Sequence, residues 1–190
     1  MQVLKDELRH KILLESEHLF LQRGYDRTSL QMIADKVNIS KSNLYHYFKN
    51  KEELFYELTD SAADGLKRMI LRFRSMRFDL NMDAQEFRML LTEEVLSLLL
   101  AEKYGLLLIM EQANGTRYEN LRPVMIELIA SKIVSMLADE ENSLMMAQIM
   151  ARNLVDGTVH ILKNRVRPSE VRAGLNQLIT YHTQGMHALQ

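Results

Sequence analysis

FLQRGYDRTSLQMIADKVNISKSNLYHYFKNKEEL, residues Phe20 to Leu54, holds the pattern that decides the fold. Gly24 is placed to stop a first helix of about Val3 to Gln22, whose Leu4, Leu8, Ile12, Leu19 and Phe20 recur on one face. Thr28, with Gln31 three residues on, has the spacing of a capping box and opens a second helix. Leu30, Ile33, Ala34 and Val37 form its inner face. Asn38 stands at the following turn, where a residue tolerant of the left-handed conformation allows a sharp reversal. Ser40 caps a third helix with Asn43 at its N3 position; Leu44 and Phe48 point inward, leaving Tyr45, His46 and Tyr47 to the rim and outer face. Asn50, with Glu53 at N3, starts a long fourth helix through about Ser75. The pattern is two short helices about a tight turn, held by two longer ones.

Working outward, the chain has 190 residues, of which 47% are hydrophobic, with 2 Pro and 7 Gly and no alternating apolar runs. That supports a full core and an all-α fold. The absence of Cys removes disulfides, thiolate catalysis and Cys-based zinc sites, and suits a reducing cytoplasm. The N-terminus, MQVLKDELRHK, has no signal-peptide core, and the apolar run around Leu98–Ala101 and Leu106–Met110 is broken by Glu102, Lys103 and Gly105. It falls short of the ~20 residues that span a bilayer. A cytoplasmic protein without membrane contact is expected.

Net charge is −1, yet the charges are unevenly spread. From residue 23 to 51, Arg23, Arg27, Lys36, Lys41, Lys49 and Lys51 face only Asp26 and Asp35. A phosphate-binding footprint is a local patch, so a near-neutral chain can carry one. A helix-turn-helix can place its second helix in the major groove while the first crosses the backbone. The N–H groups of the helix after Thr28, with the Thr28 and Ser29 hydroxyls, can hold a phosphate oxygen. Lys41 can reach guanine or phosphate, Asn43 can pair with adenine, and Ser42 is small enough for close backbone approach. Tyr45 and His46 can touch thymine methyls and phosphates, and Lys51 can pair with the backbone charge. Double-stranded DNA is the leading partner.

The order T-S-x-x-x-I-A-x-x-x-x-I-S-K-S-x-L-Y-x-Y-F-x-x-K-E-x-L, over roughly residues 8–54, resembles the DNA-binding region of the TetR family of bacterial transcriptional regulators. Phe20, Gly24, Thr28, Ser29, Ile33, Ala34, Ser40, Lys41, Leu44, Tyr45, Phe48, Lys51, Glu52 and Leu54 fall on its motif positions. The chain departs from the common pattern at Val37-Asn38, where Ala-Gly is frequent, and at Ser42, where Gly, Ala or Pro is. The resemblance carries over Thr28, Lys41, Ser42, Asn43, Tyr45, His46, Tyr47 and Lys51 as DNA contacts. It implies a three-helix DNA-binding domain, residues 1–50, joined through a long helix to a larger helical ligand-binding and dimerisation domain, residues 51–190. It also implies a homodimer through the last two helices, about 141–164 and 169–188, and a ligand pocket among the long helices.

Beyond Asp79 the texture turns Met-rich: eleven of the 13 Met lie after residue 60. Breaks at Asn81–Asp83, Gly105, Asn114–Gly115, Asp139–Asn142 and Arg167–Pro168 divide this part into four or five helices, the last two an antiparallel pair. Met side chains repack around varied shapes, so part of the set can line an adaptable pocket, with ordinary core as the alternative. Candidate effector contacts are Glu94, Tyr104, Met110, Glu111, Tyr118, Met150, Asn153 and His160, with Asn114 a further polar candidate. Gly157 inside a predicted helix is explained by a close approach at a dimer interface or by a crossing within the chain. Asp156 and His160 share a face as a polar pair, whereas His182 and His187 are expected to be solvated.

Glu7-x-x-His10 and Glu15-x-x-His18 imitate metal-binding pairs but lie on one helix about 12 Å apart, so no metal is expected. Lys67, Arg68, Arg72, Arg74 and Arg77 read as a solvated helix face. No nucleophile elbow, catalytic Ser/His/Asp order or phosphate-cradling glycine loop occurs, so neither an enzyme nor a cofactor is expected. The reading is a homodimeric, ligand-responsive regulator, a repressor, on a palindromic operator and released by a small apolar or amphipathic effector. The alternative is a nucleoid- or division-associated DNA-binding protein controlled by a protein partner, with no small-molecule pocket.

Overall fold

The computed structural model describes residues 2–75, 93–136 and 140–187, with side chains described for 5–75, 95–136 and 143–185. Among these residues every regular element is an α-helix: α1 (Gln2–Arg23), α2 (Leu30–Val37), α3 (Lys41–Leu44), α4 (Lys51–Ser75), α5 (Glu93–Ala101), α6 (Lys103–Gln112), α7 (Leu121–Val134), α8 (Glu140–Asn164) and α9 (Pro168–His187). The all-α expectation holds. None of the described helices is long and apolar enough to cross a membrane.

Local chemistry accounts for the helix ends. Gly24, at φ +86°, closes α1, its N–H donating to the Phe20 carbonyl at 2.8 Å. Asn38 adopts φ 64° and ψ 47°; its N–H donates to Asp35 C=O at 3.1 Å, and that of Ile39 to Ala34 C=O at 3.0 Å. This pairing satisfies the last carbonyls of α2 and reverses the chain within two residues. Asn50 Oδ1 accepts from the Glu53 N–H at 2.7 Å, and Glu53 reaches back to the Lys49 N–H at 2.6 Å, so α4 begins where its capping signal lies.

The chain forms two compact units: Met1–Asp64 with Tyr104–Asn120, and Gly65–Lys103 with Leu121–Gln190. These units are drawn differently from the 1–50 and 51–190 division expected from the sequence. In the first, Ile12, Phe20, Ile33, Ala34, Leu44, Phe48, Leu54 and Phe55 are buried together. Phe20 and Phe55 meet edge to face at 5.3 Å, and Tyr25 meets Phe55 at 5.0 Å, fastening α1 and its following loop to α4. Gly105, expected to break a helix, is buried inside α6; the interruption falls at Glu102 instead. A Cβ on Gly105 would come within 2.8 Å of Ala62 Cβ and 2.9 Å of the Leu58 carbonyl, so the missing side chain lets α6 lie against α4.

In the second unit, α8 packs against α7 and α9. Ala147, Met150, Ala151, Val155, Val159 and Leu162 line the inner side of α8, and Val171, Leu175 and Ile179 that of α9. Gly157 belongs to this internal crossing: a Cβ there would press within 2.9 Å of Leu178 on α9 of the same chain. That corrects the dimer-interface explanation. Asp156 accepts from Arg122 at 2.6 Å rather than from His160, which is exposed. His182, expected to be solvated, is 4% exposed. Burial pushes its pKa down, and among the described residues no partner meets its Nε2. The break expected at Asn81–Asp83 lies outside the described residues, that at Asp139–Asn142 lies partly outside them, and α8 already includes Glu140.

Two measurements check these assignments. Asn38→Ala is expected to lower the unfolding free energy in urea by about 1 kcal/mol while Asn38→Gly holds it, because only the former strains the left-handed position; equal losses would contradict the turn geometry. His182 is held neutral in the native chain, so the unfolded chain takes up its proton first as pH falls. Its contribution is therefore present above the ordinary value near 6.5 and is lost as pH drops through and below it. Urea midpoints measured between about pH 7.5 and 5.5 should fall more steeply for the parent than for His182→Phe, and parallel profiles would refute this origin.

Candidate nucleic-acid interface

The candidate interface is built on α2 and α3, of eight and four residues. Ser29 is extended at φ −113° and ψ 155°, and its Oγ accepts from the Met32 N–H at 3.2 Å, which caps α2. The cap is one residue later than the Thr28 position read from the sequence. Thr28 is only 2% exposed, and its hydroxyl donates inward to the Gly24 carbonyl at 2.8 Å. It therefore fixes the α1–α2 loop and presents no hydroxyl to a phosphate. Gln31, expected in a capping box, donates to Asp35 at 2.7 Å instead. Ser29 is exposed, and a hydroxyl that accepts one bond keeps its own proton for an outside acceptor.

Ser40 caps α3 by accepting from the Asn43 N–H at 3.1 Å. After Leu44 the backbone tightens: His46 N–H donates to Asn43 C=O at 3.1 Å and Tyr47 N–H to Leu44 C=O at 3.0 Å. Leu44 and Phe48 are buried, so the intervening side chains are driven outward. Lys41, Ser42, Tyr45 and His46 are exposed, while Asn43 and Tyr47 are half-buried. The Lys41 ammonium lies over the Tyr45 ring, 5.9 Å from its centroid, placing a cation and an aromatic face on one surface. Arg9 of α1 pairs with Glu57 of α4 through two N–H groups and stands over the Phe48 ring at 5.0 Å, bracing that surface from behind.

Lys51 is placed differently from a free phosphate ligand. Its Nζ donates to the Tyr25 carbonyl at 2.8 Å and lies 3.9 Å from the Tyr25 ring centroid. Burial pushes its pKa down, partly offset by the nearby Asp26 carboxylate. The side chain ties the start of α4 to the α1–α2 loop. Lys51→Met is therefore expected to lower the unfolding free energy by about 1–2 kcal/mol in urea titration; unchanged stability would return Lys51 to a purely external role.

The effector candidates are divided between the two units. Tyr104, Met110, Glu111 and Tyr118 belong to the first, and Met150, Asn153 and His160 to the second; the side chain of Glu94 lies outside the described residues. Tyr104, Asn153 and His160 are exposed, whereas Met110 and Met150 are buried. Tyr118 is buried and donates to Asp60 at 2.6 Å; burial and that bond push its pKa up to about 12. Arg117 donates to the same carboxylate at 2.6 Å and covers the Tyr56 ring at 3.8 Å. An open groove of about 520 Å³ runs past Asn50, Glu52, Glu53, Tyr56, Glu57, Asp60 and Arg117. Sequence reasoning passed over Tyr56, Asp60 and Arg117, because residues near 58 and 117 carry no local signal that they meet.

Residues 12–58 match the family model for bacterial regulatory proteins of the tetR family. The negative transcriptional regulator of the icaADBC biofilm operon, IcaR, of Staphylococcus epidermidis is 34% identical over 65 residues, covering 34% of this chain and 35% of IcaR. The transcriptional activator FasR of Mycolicibacterium smegmatis is 34% identical over 62 residues, covering 33% of this chain and 28% of FasR. The chain thus spans about a third of the length of these curated relatives. A TetR-like transcriptional regulator from Rhodococcus sp. RHA1 shares the fold, with a TM-score of 0.56 and 20% identity over 94% of this chain and 96% of that one. Residues 12–58 thus carry a helix-turn-helix region that matches the tetR family of bacterial regulatory proteins, on a fold shared with a TetR-like regulator along nearly the whole chain.

Proposed function

We propose that this protein is a homodimeric, ligand-responsive transcription regulator, a repressor, that binds a palindromic operator and is released by a small apolar or amphipathic effector. The observation that carries the reading is the outward set Lys41, Ser42, Tyr45 and His46 beside the Ser29 cap, on a surface whose inner side is fixed by buried Leu44 and Phe48. Lys41 would meet guanine or phosphate, Asn43 adenine, and Tyr45, His46 and Tyr47 thymine methyls or phosphates. The α2 N-terminus with Ser29 would hold a phosphate oxygen. Residues 1–50 serve as the reading domain and residues 51–190 as the ligand-binding and dimerisation domain, acting in the cytoplasm.

Dimerisation through α8 and α9 is supported by apolar side chains left facing outward. Met145 is 69% and Tyr181 67% exposed, with Leu144 and Ile149 also exposed on α8. A second copy covering them would bury this surface and set two reading heads on successive major grooves. Buried Met125, Met136 and Met150 of the second unit support an effector region able to repack around a ligand, with Asn153 and His160 of the same unit as its polar candidates. Release of DNA then requires the effector to prefer the form whose reading heads are wrongly spaced. Repression follows the negative regulator IcaR rather than the activator FasR.

The test is fluorescence anisotropy on the duplex flanking the protein's own gene, against a scrambled duplex, across a salt series. Tight binding to the flanking duplex alone is expected. Asn43→Ala should lose about 1–3 kcal/mol of preference at one base position, whereas Lys41→Ala should also lower the salt slope by about one if it meets phosphate. Equal, steeply salt-sensitive binding to both duplexes would replace this reading with the nucleoid-type one, in which only phosphate is read.

A further inference from the structure

Two loops far apart in sequence are closed on each other inside the first unit. The Tyr25 N–H, in the α1–α2 loop, donates to the Gln112 carbonyl at 3.3 Å. The Asn114 side-chain amide donates to Asp26 Oδ2 at 2.9 Å. A Cβ on Gly115 would come within 2.7 Å of Asp26 Oδ1, and Gly115 adopts φ +76°, so glycine is what lets the loops approach this closely. On its far side the second loop is seated on α4, with the Arg117 N–H donating to Tyr56 Oη at 3.3 Å and the Arg117 side chain donating to Asp60.

The position of this clasp gives it consequence. Asp26 is three residues before Ser29, the cap of the helix proposed to hold phosphate. It is one of two acidic residues between Arg23 and Lys51, and the other, Asp35, accepts from Gln31. A carboxylate beside a phosphate site opposes DNA through its charge. Its presence there is accounted for if what it fixes outweighs what it repels.

We propose that Asn114 and Asp26 are positioning residues for DNA binding: their hydrogen bond holds the α1–α2 loop so that Ser29 and the first N–H groups of α2 meet the phosphate at one fixed place. The role rests on the DNA-binding reading, and neither residue touches DNA. Removing the bond loosens the loop without removing a phosphate contact. The loss therefore shows in affinity for the flanking duplex and leaves the salt slope unchanged.

The experiment uses the full chain and two readouts. Hydrogen exchange without DNA is followed over residues 25–33, and anisotropy is measured on the flanking and scrambled duplexes. Asn114→Ala is expected to speed exchange over 25–33 while leaving α8 and α9 unchanged, and to weaken flanking-duplex binding about two- to tenfold. Asp26→Ala should weaken it similarly. The exchanged pair, Asp26→Asn with Asn114→Asp, keeps one amide, one carboxylate and the same net charge, and should restore both readouts. Tighter binding by Asp26→Ala would mean that its charge alone matters, and would overturn the proposal. So would unchanged exchange in Asn114→Ala, or an exchanged pair that behaves like the single variants. Wild-type protein that does not tell the two duplexes apart would instead overturn the operator-binding reading and this role with it, whatever the exchange arm shows of the loop contact.

Discussion

The helix-turn-helix exists because α1 and α4 close over it. With eight residues in α2 and four in α3, neither helix approaches the ~12–15 residues at which an isolated helix becomes even marginal in water. Their stability is borrowed from Phe20 and Phe55, both fully buried and stacked edge to face, with Tyr25 on the same ring. Burying an aromatic side chain of this kind contributes about 1.5–3 kcal/mol. The polar rim repeats the linkage: Arg9 grips Glu57, and Lys51 grips the Tyr25 carbonyl. A change in any of these side chains reaches the outer surface of α3 without altering a residue that lies on it.

This dependence separates what the sequence discloses from what it withholds. Helix ends are short-range chemistry, so Gly24, Asn38, Ser40, Asn50 and Pro168 mark theirs within a residue. Partners distant along the chain leave no such mark. Gly105 and Gly157 read locally as a break and an interface; each is the space needed by another helix of the same chain, namely α4 and α9. Asp156 stands four residues from His160 yet pairs with Arg122, thirty-four positions away. Thr28 and Ser29 are neighbours with interchangeable chemistry on paper. Burial decides that one turns inward and the other caps.

The relatives bear on a different question. A negative regulator and an activator match this chain at the same 34% identity over nearly the same span. What that span holds in common is a way of presenting a helix to DNA. Whether transcription then falls or rises depends on where the operator lies relative to the promoter and on the rest of the chain, beyond the matched residues 12–58. The matched span therefore bears on the helix-turn-helix alone, and the opposite signs of the two relatives' effects on transcription lie outside it.

Charge shows how a chain of net −1 can still address a polyanion. Screening confines the interaction to about 8–10 Å at physiological salt, so a local cationic surface counts for more than the total. Lys41 is exposed on α3, in a stretch from Arg23 to Lys51 that holds six basic residues against two acidic ones. The two carboxylates among them are each held by an amide donor, Asp35 by Gln31 and Asp26 by Asn114. A carboxylate engaged this way keeps its charge but not its freedom to turn. Both bonds tie these carboxylates to neighbouring side chains around α2, Asp35 within the helix and Asp26 in the loop before it.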